Sequence, residues 1–252
     1  INKKEMNNRL EFSEDEQKNR VDLAACYHLA DHFGMSDIIW NHITAKTSSK
    51  KNTFLINKFG LRYDEITASN LLEIDLDGKI INGDGVINET GYVIHGAIHK
   101  NRKDIHCVMH THSRAGLAVS CFKEGLKPMI QDSAIFYNRI SYHEWEGMST
   151  ESEECDRLSK SLGENNVMIL RNHGLLTCGA SISEAFMLMY YLDRACKTQI
   201  DAESTGEELI IPTNNIMEYA AGQYDDPRFK LGRHEWPALI RFLDDKKSIY
   251  KQ

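Results

Sequence analysis

The sequence predicts an α/β fold, a single domain over residues 1–252 in which one β-sheet is covered by helices on both faces. Helical patterns with recognisable caps alternate along the chain with short apolar runs of strand length. No internal repeat or low-complexity block interrupts them.

Ser13 followed by Glu16 reads as a capping box, and Val21, Ala24, Ala25, His28, Leu29 and His32 recur at helical spacing until Gly34. Strand-like runs follow at residues 38–40, 43–45 and 54–57. Runs at 71–75 and 79–82 flank Asp77-Gly78, a hairpin turn signal. A helix over 90–102 leads into the strand ending at His112, and 113–122 reads as a helix rich in small residues. Short strands are expected at 129–130 and 139–141. Thr150 with Glu153 opens a helix that ends near Gly163, before strands at 167–170 and 175–177. Ser181 with Glu184 caps a long helix to about Ala202. Residues 203–231 carry Pro212, Asn214, Asn215, Gly222 and Pro227 and read as a loose excursion with one short helix near 216–221. A last helix over 235–245 turns Trp236, Leu239, Ile240 and Leu243 to the core.

Composition narrows the function. A net charge of −7 with no dense Lys/Arg stripe argues against a nucleic-acid partner. No apolar run approaches the roughly 20 residues that span a bilayer, and no signal peptide opens the chain at Ile1, so no membrane association is expected. Cysteines 26, 107, 121, 155, 178 and 196 are scattered, mostly among apolar neighbours. Reduced, buried thiols fit a cytoplasmic location better than a disulfide framework or a metal cluster.

The run Ile105-His106-Cys107-Val108-Met109-His110-Thr111-His112 carries the strongest chemical signal. Residues i and i+2 of a strand share a face, so His110 and His112 project side by side, about 6.6 Å apart along the strand. A second apolar strand runs into Arg171-Asn172-His173-Gly174 and offers a third imidazole. Three neutral imidazoles with an open position describe a catalytic metal site, because structural zinc is usually closed by four protein ligands. Zinc is the first expectation for the divalent metal, with manganese, iron or cobalt able to use the same ligands. The plainer alternative makes His110 a buried polar partner and His173 a turn residue.

Other candidates are weaker. His28 with His32 and His95 with His99 share helix faces but lack the glutamate of zinc hydrolases, and they are expected to be structural, with His95 the nearer to a site. His42, His106, His143 and His234 read as surface or satisfied core residues. Glu89, opening the helix before the metal strand, is the candidate catalytic carboxylate, although an acidic residue there also complements a helix dipole. Asp132, Tyr137, Glu144 and Glu146 lie further along. Asn57-Lys58-Phe59-Gly60 could form a small anion-binding turn, and no Gly-rich phosphate loop is present.

The blocks GYVIHGAIHKNRKDIHCVMHTHSRAGLAVS and VMILRNHGLLTCGASISEAF resemble the class II aldolase/adducin family. NKFGLRYDEITASNLLEIDLDG and GRHEWPALIRFLDD are similar to its adducin-like branch and bacterial relatives. The resemblance implies a three-layer α/β/α sandwich around a mainly antiparallel sheet, commonly a homotetramer with sites between subunits. It implies His110, His112 and His173 as metal ligands and Asn41 and Gly60 as retained substrate-binding positions. The family's catalytic acid, four residues before the equivalent of His95, falls on Gly91. Its phosphate-side hydroxyl positions fall on Glu89 and Thr90, its Gly-Asn pair on Trp40-Asn41, and a further small hydroxyl on Phe59. A carboxylate in that place repels a phosphate dianion. The expected function is therefore a metal-dependent lyase, cleaving or decarboxylating a small non-phosphorylated hydroxy-carbonyl or keto-acid substrate through a metal-stabilised enediolate. The alternatives are a non-catalytic adducin-like interaction module and a metal-dependent epimerase or dehydratase.

Overall fold

The computed structural model describes residues 12–147 and 152–252, with the side chains of all of these except 89, 90 and 152–155. The first helix, α1 (Glu14–His32), begins where the Ser13 hydroxyl accepts from the Glu16 amide. Only this serine half of the expected capping box forms. The Glu16 carboxylate turns inward to Arg20 and Lys51, each at 3.0 Å. Arg20 is 1 % exposed and also donates to the carbonyl of Leu71 at 3.0 Å, which pins α1 to the loop before the third strand.

An antiparallel meander follows: β1 (His42–Lys46), β2 (Phe54–Ile56), β3 (Leu72–Ile74) and β4 (Ile80–Asn82). The β3–β4 turn is the predicted one, with Gly78 at φ +80° and Asp75 Oδ1 accepting from the amides of Asp77 and Lys79 at 2.9 Å. Helix α2 (Glu89–Asn101) crosses the sheet and returns the chain as β5 (Cys107–Thr111) beside β1. Helices α3 (Arg114–Ser120) and α4 (Gln131–Ala134) precede β6 (Ile140–His143), and α5 (Ser152–Leu162) precedes the hairpin β7 (Val167–Leu170) and β8 (Gly174–Gly179). Helix α6 (Ile182–Ser204), capped by Ser181, then α7 (Asn214–Gln223) and α8 (Glu235–Asp245) complete the chain. The sheet order is β4-β3-β2-β1-β5-β8-β7-β6, antiparallel at every junction except β6–β7.

Strand alternation divides the core in two. Ile43, Ala45, Cys107, Met109 and Leu175 pack against α1 and α6. Val108, Leu176 and Cys178 point the other way, onto Ile94 and Ile98 of α2 and Leu158 and Leu162 of α5. This is the expected α/β/α sandwich. Central strands buried on both faces have no polar side to show, which is why β7 reads Val-Met-Ile-Leu without alternation.

Three expectations need correction. Residues 38–40 are not a strand: Ile38 and Asn41 take φ of +52° and +70°, and those two left-handed residues bend the segment around a single bridge between Asp37 and Trp40. Residues 129–130 turn into α4 instead of pairing, because the Met129 amide is spent on the Lys127 carbonyl and the Ser133 amide on that of Ile130. In the 203–231 segment the short helix expected near 216–221 is present as α7, ten residues long with a Thr213 cap, but α6 reaches Ser204 and a 3-10 turn that the sequence did not suggest covers Pro227–Phe229. Thr150 lies outside the described residues. Among the described residues no helix is long and apolar enough to cross a membrane.

Tyr27 ties these layers together. Its buried hydroxyl accepts from the amides of Ile43 at 2.8 Å and Asn57 at 3.2 Å, fixing β1 and the end of β2 to α1. Removing it strands two buried donors, at about 1–3 kcal/mol each. Tyr27→Phe is therefore expected to lower unfolding stability by about 2–6 kcal/mol in a urea titration. A loss within error would mean that the two amides find other partners.

Candidate metal centre

Among the described residues, His110, His112 and His173 are a group whose ligand atoms all lie within 4.8 Å of one another. His110 is the last inward residue of β5 but one, and His112 follows directly after that strand. Their rings lean together until the centroids are 4.8 Å apart, closer than straight strand geometry supplies. His173 sits in the β7–β8 turn, its ring 4.8 Å from that of His110 and 5.0 Å from that of His112. The turn needs Asn172 at φ +56° and Gly174 at φ +150°. A Cβ on Gly174 would meet the Thr111 carbonyl at 2.5 Å, so only glycine lets the turn approach β5 this closely.

The hydrogen-bond partners fix which nitrogens are bare. His110 Nδ1 lies 2.9 Å from the Leu175 carbonyl, and His112 Nδ1 lies 3.0 Å from Asp37 Oδ2. Both partners only accept, so each Nδ1 carries the hydrogen and each Nε2 keeps a lone pair. The two Nε2 atoms then face each other at 3.1 Å. A proton between them would make an imidazolium, and burial together with the neighbouring imidazoles holds His110 well below its usual range. A cation suits the pair better: nitrogens 2.0–2.1 Å from one tetrahedral zinc ion lie about 3.3 Å apart. His173 is also pushed down, to about 4, by burial and by the charge it would share with His112. The donor set therefore fits a divalent ion, with Asp37 and the Leu175 carbonyl orienting two of its three rings.

The imidazoles floor a cleft of about 400 Å³. Trp40, Ile94, Leu117 and Trp145 supply apolar walls, and no Lys or Arg is among its described lining residues. Asn41 lines it too. Its Oδ1 accepts from the His112 amide at 3.1 Å, while its buried Nδ2 has no partner among the described residues.

Gly91 has a physical explanation. A Cβ there would meet His42 Cδ2 at 2.1 Å and Nε2 at 2.4 Å, so the His42 ring occupies the volume of any side chain at 91. His42 pairs with His110 across β1 and β5, lines the cleft, and is hydrogen-bonded through Nδ1 to His95 Nε2 at 2.8 Å. Sequence reasoning had set His42 aside, and His95, the favoured helix histidine, stands one step behind it. Asp37 was missed altogether. The alternation of His42 and Thr44 on one strand face was the available signal, but its meaning depends on which strand lies alongside.

The remaining candidates disperse. Glu89 opens α2, and its side chain is outside the described residues. Gly60, at φ +97°, does not line this cleft; its neighbour Phe59 packs on Trp40 with centroids 5.4 Å apart. Asp132 pairs with Arg194, Glu146 with Arg157, and Tyr137 lines a separate hollow. Glu144 is exposed, 4.0 Å from Arg171. His28 bonds the Ile66 carbonyl and His32 packs on Phe242, structural roles as expected. Asn57 Oδ1 accepts from the Tyr27 hydroxyl at 2.8 Å, so its polar end is spent inside the fold.

Residues 21–200 match the family described as Class II Aldolase and Adducin N-terminal domain. A Pseudomonas aeruginosa protein with the provisional name aldolase class 2 protein is 45% identical over 247 residues, covering 96% of this chain and 95% of that one. Rat alpha-adducin is 36% identical over 253 residues, covering 93% of this chain and 34% of the adducin. The crystal structure of an aldolase II superfamily protein from Pseudomonas syringae superposes with a TM-score of 0.90 at 43% identity, covering 95% and 97% of the two chains.

The buried imidazoles make stability depend on pH. Folded, His173 titrates near 4 and His99 near 3, whereas both titrate near 6.5 in the unfolded chain. Between those values the unfolded chain binds more protons, so stability is complete above about pH 6.5 and drains as the pH falls through the window. The melting temperature of chelator-treated protein is expected to fall steadily from pH 7 to pH 4.5. A flat profile would show that these rings are already solvated in the folded state.

Proposed function

The chain belongs to the class II aldolase and adducin family, and from that premise we propose that it is a divalent-metal-dependent lyase acting on a non-phosphorylated hydroxy-carbonyl or keto-acid substrate. The observation that carries this reading is the pair of bare imidazole nitrogens facing each other at 3.1 Å beside a third ring. His110, His112 and His173 are the proposed ligands and zinc the first candidate, with manganese, iron or cobalt compatible. When bound, the metal supplies Lewis-acid polarisation of a carbonyl oxygen, which serves aldol cleavage and decarboxylation alike.

The residues of the cleft do the rest. Asn41 Nδ2, a buried donor without a partner among the described residues, is suited to hold a substrate oxygen. Trp40, Ile94, Leu117 and Trp145 exclude water from one side of the substrate. The absence of Lys and Arg from the described lining leaves a phosphate dianion without the charge-assisted donors that normally recognise it. Glu89 is proposed to move a proton from the start of α2, and Gly60 to contact substrate through the loop that carries Phe59. The tetramer expected of the family belongs to the same proposal, with Trp40 and Trp145, 49% and 60% exposed, available to a neighbouring copy.

The similarity to alpha-adducin favours a second reading, an interaction module in which the metal is dispensable. Metal analysis separates the two. One zinc per chain is expected in the purified protein, with His110→Ala abolishing uptake and Asp37→Ala weakening affinity about 10–100-fold in a competitive chelator titration. Folded protein that takes up neither zinc nor manganese would establish the interaction reading instead. In mass-resolved assays of the zinc form, unphosphorylated hydroxy-carbonyls or keto acids should be cleaved and sugar phosphates left intact. Efficient cleavage of a sugar phosphate would overturn the substrate class.

A further inference from the structure

Behind the cleft wall lies an unbroken line of hydrogen bonds. His42 Nδ1 meets His95 Nε2 at 2.8 Å, His95 Nδ1 meets the Thr44 hydroxyl at 2.7 Å, and that hydroxyl meets His99 Nε2 at 2.8 Å. All four side chains are at most 3 % exposed. The line follows β1 from His42, which lines the cleft, toward the end where Lys46 lies. At its far end His99 Nδ1 is buried and has no partner among the described residues. Three imidazoles buried in series are costly to maintain, since a polar group taken from water loses stability wherever a partner is missing.

We propose that His42, His95, Thr44 and His99 form a proton relay that gives or takes a hydrogen at His42 Nε2, at the cleft wall, while each of its imidazoles stays neutral. Its use in chemistry rests on the lyase reading; the relay itself does not.

The hydroxyl is what makes the line a switch. Thr44 has one hydrogen for two ring nitrogens, so it donates to one ring and accepts from the other. A neutral imidazole carries a hydrogen on one nitrogen only. Two arrangements satisfy both conditions. In the first, His99 Nε2 donates to Thr44, Thr44 to His95 Nδ1, and His95 Nε2 to His42 Nδ1, which leaves the hydrogen of His42 on Nε2. In the second every bond is reversed: His42 Nδ1 donates to His95 Nε2, His95 Nδ1 to Thr44, and Thr44 to His99 Nε2. His42 Nε2 is then bare and His99 Nδ1 carries a hydrogen.

Passing from the first arrangement to the second delivers one proton. The His42 Nε2–H bond breaks as a bond forms to a carbanionic substrate carbon. His42 Nδ1 takes the hydrogen of His95 Nε2, His95 Nδ1 takes that of Thr44, and Thr44 takes that of His99 Nε2. The cycle closes when a water that reaches the buried His99 Nδ1 protonates it, the hydroxide so formed carrying the negative charge the carbon gave up. The reverse sequence removes a proton from substrate. No imidazolium forms at any stage, which suits rings that are at most 3 % exposed.

Nitrogen NMR of the imidazoles tests the coupling without substrate or metal. At pH 7 the rings of His42, His95 and His99 are expected to be neutral, each with a defined tautomer ratio. Thr44→Val removes the hydroxyl and should shift the tautomer ratio of His42, a ring Thr44 does not bond. Thr44→Ser should restore it, and His99→Phe should shift it through the opposite link. All three proteins should still bind one zinc. An unchanged His42 ratio in folded Thr44→Val or His99→Phe, or a charged ring at His95, overturns the relay. A second readout is exchange of the methylene hydrogens of dihydroxyacetone with deuterated water by the zinc form, which Thr44→Val should slow about 10²–10⁴-fold. No exchange by the unaltered protein would overturn the use of the relay in chemistry, while the tautomer shift alone would still decide whether the relay exists.

Discussion

The antiparallel register between β1 and β5 sets His42 opposite His110 and Thr44 opposite Val108, and the cleft follows from that pairing. Because strand side chains alternate, His42, Thr44, His110 and the ring of His112 fall on the α2 side of the sheet. A slip of one residue would turn Ile43 and Met109 toward α2 and bury the imidazoles against α1 and α6. Several bonds oppose such a slip. Tyr27 holds the Ile43 amide, and the Asn41 side chain holds the His112 amide across the two strand ends. Beyond β5, the five-residue pairing with β8 brings the Leu175 carbonyl to His110 and the β7–β8 turn to the ligand set.

Burying so many imidazoles is eased where ring nitrogens have partners within the fold. Leu175 and Asp37 take the Nδ1 hydrogens of His110 and His112, and the Thr44 hydroxyl serves two rings at once. The atoms left over are informative. Asn41 Nδ2 lies at the cleft, and His99 Nδ1 lies deep under β1 against Phe54, whose ring stacks 4.1 Å away. Tyr63 Oη, His143 Nε2 and Asp193 Oδ1 are also buried without a hydrogen-bond partner among the described residues, so an orphaned atom marks a ligand position only where it faces the cleft, as Asn41 Nδ2 does.

How much of this could be read in advance depended on range. The three proposed ligands were legible because a period of two and a glycine turn are local signals. The alternating helices and strands were legible for the same reason, as were the caps at Ser13 and Ser181. Asp37 and His42 were not, since their meaning comes from pairing partners about 70 residues away. The 38–40 run misled because β-branched and aromatic residues suggested extension, whereas the backbone spends two left-handed residues on turning Asp37 toward His112. Local propensity yielded there to the geometry of the site.

The shared volume of Gly91 and His42 has an evolutionary consequence. A carboxylate at 91 and an imidazole at 42 are mutually exclusive, so neither site can change alone without a collision or a hole. Adding the acid first drives its Cβ into a ring packed between β1 and α2. Shrinking the ring first breaks the link to His95 before anything replaces it. A lineage moving between the two designs must therefore cross a poorly functioning intermediate or change both residues together. The two positions share one volume, so the residue at either constrains what the other can hold.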